Sequence, residues 1–188
     1  GEEKLASYKN LLKDKEKELK AGEEKYKDGI LKLNKAESEI NTGEKRYEEG
    51  LAKYKAGKAE YEKNNKAYEE GLQAYNEAKA KLDMAEQSGL AAPEAKAELA
   101  AKKAGLDAAK IKLDTAKLTL DETEKKLAEN KAKLESGKSE LESGKKEITE
   151  GKAVIKEKKA ELVSAGREIK ENENKLIKSE KELLDGKA

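Results

Sequence analysis

Six tyrosines stand at multiples of seven from one another: Tyr26, Tyr47, Tyr54, Tyr61, Tyr68 and Tyr75. A row of phenols can stack on a sugar or a peptide and can donate hydrogen bonds, so it is the feature of this chain best equipped for chemistry. The competing reading makes the row one face of a helix, with each ring body in a seam and each hydroxyl reaching water. The absence of Phe favours that reading, because a ring at a thin seam must end in a polar group. A second set at the same period is polar: Asn64, Asn130 and Asn172, with Lys15, Lys102 and Lys158. Polar residues that interrupt a coiled-coil stripe fix register more often than they hold a ligand.

Other chemistries lack their usual suppliers. The 188 residues include no His, Cys, Trp or Phe, one Met and one Pro. Without His or Cys there is no group that ordinarily titrates near neutrality and no soft metal ligand. No Gly-rich phosphate loop or metal motif occurs either, and the chain reads as non-catalytic, with no cofactor and no metal site. Pairs such as Glu16 with Lys20 and Glu62 with Lys66 are i,i+4 support on solvated helix faces.

Charge is abundant and balanced. Charged residues make up 44% of the chain, yet 42 basic residues against 41 acidic leave a formal charge of +1. Residues 1–90 hold 19 basic and 20 acidic side chains, so no half is a basic block that would attract nucleic acid. A hydrophobic share of 35% is too small for one thick core at this length, which leaves disorder or a fibrous helical assembly. No apolar run approaches the ~18 residues of a membrane span, and no signal peptide is present. The start at Gly1 suggests an excised fragment, with any targeting segment outside it.

Periodicity decides for the helical assembly. Steps of seven from Leu5 reach Leu12, Leu19, Tyr26, Leu33, Ile40, Tyr47 and so on to Leu82, every one large and apolar or aromatic. Steps of seven from Leu99 reach Leu183 without a failure. Such a repeat belongs to a supercoiled seam, and these positions are heptad a. Three residues later the d stripe is small: ten of the 14 glycines fall on it. Gly inside a helix costs about 0.5–1 kcal/mol relative to Ala, so the concentration of glycine on one stripe needs a packing reason. Antiparallel pairing provides one, because each layer then joins a large a residue to a small d residue.

The reversal lies at Ser88-Gly89-Leu90-Ala91-Ala92-Pro93-Glu94, where Gly suits a left-handed helix end and Pro suits the first turn of the next helix. The expected fold is all-α, one long two-helix antiparallel coiled-coil hairpin. A single domain, 1–188, would contain a first arm at 4–88, a turn at 89–93 and a second arm at 94–186. Arms of that length rise to roughly 120–140 Å at ~1.5 Å per residue. Pairing a with d across the turn allows residue numbers that add to 177 or to 184. The 184 register is preferred, setting Tyr75 against Ala109, Tyr47 against Gly137 and Gly43 against Leu141. Glycines 43 to 57 facing 137 to 151 would make a local hinge.

Apolar residues off the seam are the candidates for partner contact. Leu90 sits at the turn, and Ile111 and Leu118 lie seven apart on the outward f stripe of the second arm. Ile30, Leu51 and Leu72 recur on the e stripe of the first arm. An exposed apolar row can mark a docking surface, although isolated surface leucines are ordinary.

The phrases Tyr47-Glu48-Glu49-Gly50-Leu51, Tyr68-Glu69-Glu70-Gly71-Leu72 and Leu134-Glu135-Ser136-Gly137-Lys138-Ser139-Glu140-Leu141 are similar to the extracellular coiled-coil insertion of FtsX-like (MacB-type) ABC transporter permeases of Gram-positive bacteria. The likeness runs from Leu5 to Gly186. Heptads of a large residue followed by Gly also occur in YhgE/Pip-family membrane proteins, which tend to be richer in Ser, Thr and Ala. The permease resemblance implies membrane segments before and after the chain, a cytoplasmic ATPase partner, and a stalk on the extracellular face of the cell membrane that docks an extracellular protein or substrate. A structural or adhesive surface coiled coil is the alternative.

Overall fold

The computed structural model describes residues 2–186 and consists of two helices, α1 (Glu2–Gln87) and α2 (Pro93–Asp185). They pack antiparallel, as the large/small heptads require, and the described residues contain no strand. Two compact units make up the chain. The turn unit is Thr42–Glu135, and the end unit is Gly1–Asn41 with Ser136–Ala188.

Glycine positions fix the register. In the turn unit a Cβ placed on Gly43 would lie 2.8 Å from Leu134 Cδ2, one on Gly50 3.2 Å from Leu127, one on Gly57 3.5 Å from Leu120 and one on Gly71 3.2 Å from Leu106. In the end unit Gly29 meets Ile148 at 2.6 Å, Gly144 meets Leu33 at 2.7 Å, and Gly137 meets Ile40 at 3.6 Å. The two numbers of every pair add to 177. The preferred 184 register is therefore corrected: Gly43 packs on Leu134 in place of Leu141, Gly137 packs on Ile40 in place of Tyr47, and Ala109 falls opposite Tyr68 in place of Tyr75.

The length of the turn selects 177. A five-residue turn brings Ala85 opposite Ala92 and Leu82 opposite Ala95, and these residues line one cleft with Leu99. The 184 register would leave the first turn of α2 without a seam partner. In the 177 register the turn-unit tyrosines 47, 54, 61, 68 and 75 fall opposite Asn130, Thr123, Ala116, Ala109 and Lys102, and Tyr26 of the end unit meets Gly151 at 3.8 Å.

The interior is a ladder of half-buried layers. Among the described residues only Leu113, at 6% exposure, and Leu127, at 9%, are buried, both on α2 in the turn unit. Each contributes about 1.5–3 kcal/mol of apolar burial. The other large seam residues of the turn unit, including all five of its tyrosines on the a stripe, are half-buried.

A candidate docking surface in the turn unit

The turn is built from backbone chemistry that its sequence dictates. Gly89 has φ +69°, the left-handed conformation in which an L side chain is strained. The Leu90 amide donates to the Ala85 carbonyl at 2.8 Å and the Gly89 amide to the Glu86 carbonyl at 3.0 Å, the two bonds of a Schellman cap. Ser88 Oγ donates to the Met84 carbonyl at 3.0 Å. On the other side Pro93 opens α2, and the Ala92 carbonyl accepts from the Ala95 and Lys96 amides. Lys96 Nζ pairs across the turn with Glu86 at 2.5 Å.

This cap presents Leu90 to solvent at 80% exposure. Leu90 also lines a shallow cleft of about 340 Å³ with Leu82, Ala85, Ala92 and Leu99, to which Lys81 and Glu98 contribute charge. The local chemistry suits an apolar side chain of a partner, held by the cleft and ringed by charges of both signs.

Ile111 and Leu118 stand apart from that cleft. They are 67% and 66% exposed on α2, and Ile111 is 18 residues beyond Pro93, about 27 Å along the helix at ~1.5 Å per residue. The three candidates are therefore two surfaces. Reading for large residues missed what joins Ile111 to Leu118. Ala97, Ala101, Ala104, Ala108 and Thr115 fill the same outward face, which with Ile111 and Leu118 is spaced alternately four and three residues apart, and all are exposed.

The off-seam residues of α1 have a different explanation. Opposed e positions carry numbers that add to 182, as the cross-helix ion pairs Glu86–Lys96, Glu37–Lys145 and Glu23–Lys159 show. The same rule puts Leu51 opposite Lys131 and Leu72 opposite Lys110, and Ile30 opposite Lys152. Lys stems lie well against such leucines while the ammonium stays wet. It also sets Lys79 against Lys103, two like charges, and each turns to a carboxylate on its own helix: Lys79 to Asp83 at 3.0 Å and Lys103 to Asp107 at 3.1 Å. Lys110 does the same with Asp114 at 2.5 Å. Hydrogen bonds to these aspartates hold all three lysines above their ordinary pKa.

The tyrosine stripe is a seam. Partial withdrawal from water, then a hydrogen bond donated by its hydroxyl to Glu124, raises the pKa of Tyr54, with the charges of Glu124 and Asp121 adding to the effect. No group of three or more acidic residues among the described residues is placed to hold a metal ion. No helix among them is long and apolar enough to cross a membrane. Compared with protein-family models, curated proteins and solved structures, the chain matches none.

Proposed function

We propose that this chain is the extracellular stalk of an FtsX-like ABC transporter permease, carrying motion from a cytoplasmic ATPase to an extracellular protein or substrate docked at the Leu90 turn. The observation that carries the reading is the pairing inside the end unit. Lys9 forms an ion pair with Glu173, and Leu5 and Tyr8 share a cleft with Asn172 and Leu176. The start of α1 and the end of α2 thus lie side by side, the arrangement needed by an insertion between two membrane segments. Helices tied at one end and joined by a capped turn transmit displacement better than a flexible linker. The exposed Leu90 over its cleft supports docking at the turn.

The decisive test is the parent coding sequence on each side of this segment. The stalk reading expects an apolar span of ~18 or more residues on both sides. A parent with no span on either side rejects it in favour of a surface or scaffold coiled coil. With the parent transporter in hand, Leu90→Asp should abolish its activity while leaving helicity and ATPase binding intact. Full activity of that variant would remove the docking role from the turn.

A further inference from the structure

The outward face of α2 is a second heptad seam. Ala97, Ala101, Ala104, Ala108, Ile111, Thr115 and Leu118 alternate by four and three over about three heptads, and Glu94 and Glu122 mark where charge returns. Three to four heptads are about the shortest sustained repeat that reads as a coiled coil. All seven residues are exposed. The face is also quiet in its polar atoms. Thr115 Oγ1 donates to the Ile111 carbonyl at 2.9 Å and Thr119 Oγ1 to the Thr115 carbonyl at 3.0 Å. Both hydroxyls are satisfied within the helix, so covering the face strands neither. The corresponding face of α1 is interrupted by charge throughout, for example at Lys45, Glu49, Lys63 and Lys66.

The flanks of the face say what covers it. One edge carries Asp107, Asp114 and Asp121, and the other carries Lys112, Thr119 and Lys126. Lys112 and Lys126 make no ion pair among the described residues. Laid on a parallel, in-register copy of the same helix, one edge meets the opposite edge of its partner five residues further on. Asp107 then meets Lys112 and Asp121 meets Lys126, twice over by symmetry, while Asp114 meets uncharged Thr119. An antiparallel copy would set aspartate edge against aspartate edge, which repels. The in-helix pairs of Asp107 with Lys103 and Asp114 with Lys110 are exposed and exchange readily.

We infer that the 97–118 face of α2 is a self-association surface, on which a second copy of this chain packs parallel and in register through Ile111 and Leu118. Small alanines let the helices approach closely, and the two aliphatic residues form the layers that carry most of the burial. The interface is small, below ~1,200 Å², so the dimer is weak and forms at high concentration or when the copies are tethered. The inference does not depend on the transporter reading, and it leaves Leu90 and its cleft to another partner.

Sedimentation of the full 188-residue chain, from micromolar to ~1 mM, tests it. Wild type and Leu90→Glu should both dimerise with concentration. The double variant Ile111→Glu with Leu118→Glu should associate at least tenfold more weakly at unchanged helicity. A chain that stays monomeric throughout, or dimerises equally well with both glutamates, overturns the proposal. Orientation is read separately, because the chain has no native cysteine. A short bis-maleimide should join two copies of Ala108→Cys, whereas Ala59→Cys on α1 should stay uncrosslinked. Efficient joining of Ala101→Cys to Leu118→Cys, without joining of Ala108→Cys to itself, would show an antiparallel pair and refute the arrangement.

Discussion

The two units hold their helices together by different means. In the end unit the opposed e positions carry opposite charges at every second heptad, and Lys9–Glu173, Glu23–Lys159 and Glu37–Lys145 strap one helix to the other. In the turn unit the same stripe crosses beside the turn, at Glu86–Lys96, but further along it sets Lys79 against Lys103, and Lys79, Lys103 and Lys110 pair along their own helices. That unit compensates inside the seam, with both buried leucines and five of the seam tyrosines. One heptad template thus yields a stretch strapped at every second heptad and one that leans more on its apolar layers, according to what occupies a single flanking stripe.

Cutting the apolar layers should separate the units most. Leu113→Ala with Leu127→Ala removes the two buried side chains and should cost about 4–6 kcal/mol. The matching cut in the end unit, Ile155→Ala with Leu162→Ala, removes half-buried groups and should cost about half as much. Urea unfolding followed by circular dichroism measures both, and equal losses would erase the distinction.

Glycine replacement gives a smaller effect of opposite sign at two sites. Nothing lies within 4 Å of a Cβ on Gly22 in the end unit, so Gly22→Ala should stabilise by about 0.5–1 kcal/mol through helix propensity. On Gly43 in the turn unit the new methyl would sit 2.8 Å from Leu134, so Gly43→Ala should gain nothing or lose stability. Equal gains in thermal melts would mean that the glycines make no room for the leucines.

The smallest effect is a split in pH response. The hydrogen bond to Lys159 lowers the Glu23 pKa, so its contribution is present above the ordinary carboxylate range near ~4.3 and is lost as pH falls through the depressed folded value. Acid therefore loosens a strap of the end unit. Tyr54, Lys79, Lys103 and Lys110 are raised, so their contributions are full below ~10 and are lost as pH rises through the folded values, in the turn unit. NMR titration of the Glu23 carboxyl should show a depressed midpoint that returns to normal in Lys159→Ala. Phenolate absorbance should lose a component that titrates above the ordinary tyrosine value in Tyr54→Phe. A Glu23 midpoint indifferent to Lys159 would discard the acid half of the contrast.

The heptads and the Gly-Pro turn were legible because each rests on local rules: a period of seven for the seam, a left-handed glycine and an N1 proline for the reversal. Register was not. Both 177 and 184 place large against small, and periodicity alone cannot choose between two values one heptad apart. The choice came from the length of the turn, which sets Ala85 against Ala92. Ile111 and Leu118 were found as large apolar residues off the seam. The alanines between them were passed over, since an alanine on a helix surface reads as neutral filler until its neighbours are seen to share the face. The sequence carries the functional reading only through likeness of phrases such as Tyr47-Glu48-Glu49-Gly50.

The 177 register also makes the seam modular. Layers repeat every seven residues, so a matched excision of 44–50 from α1 and 127–133 from α2 removes two complete layers and leaves every remaining pair intact. An unmatched excision of seven must slide one arm past the other or deform the Schellman cap. Indels in such a chain should therefore come as coupled heptads, one in each arm, which makes the number of layers a quantity that can be varied without redesigning any of them.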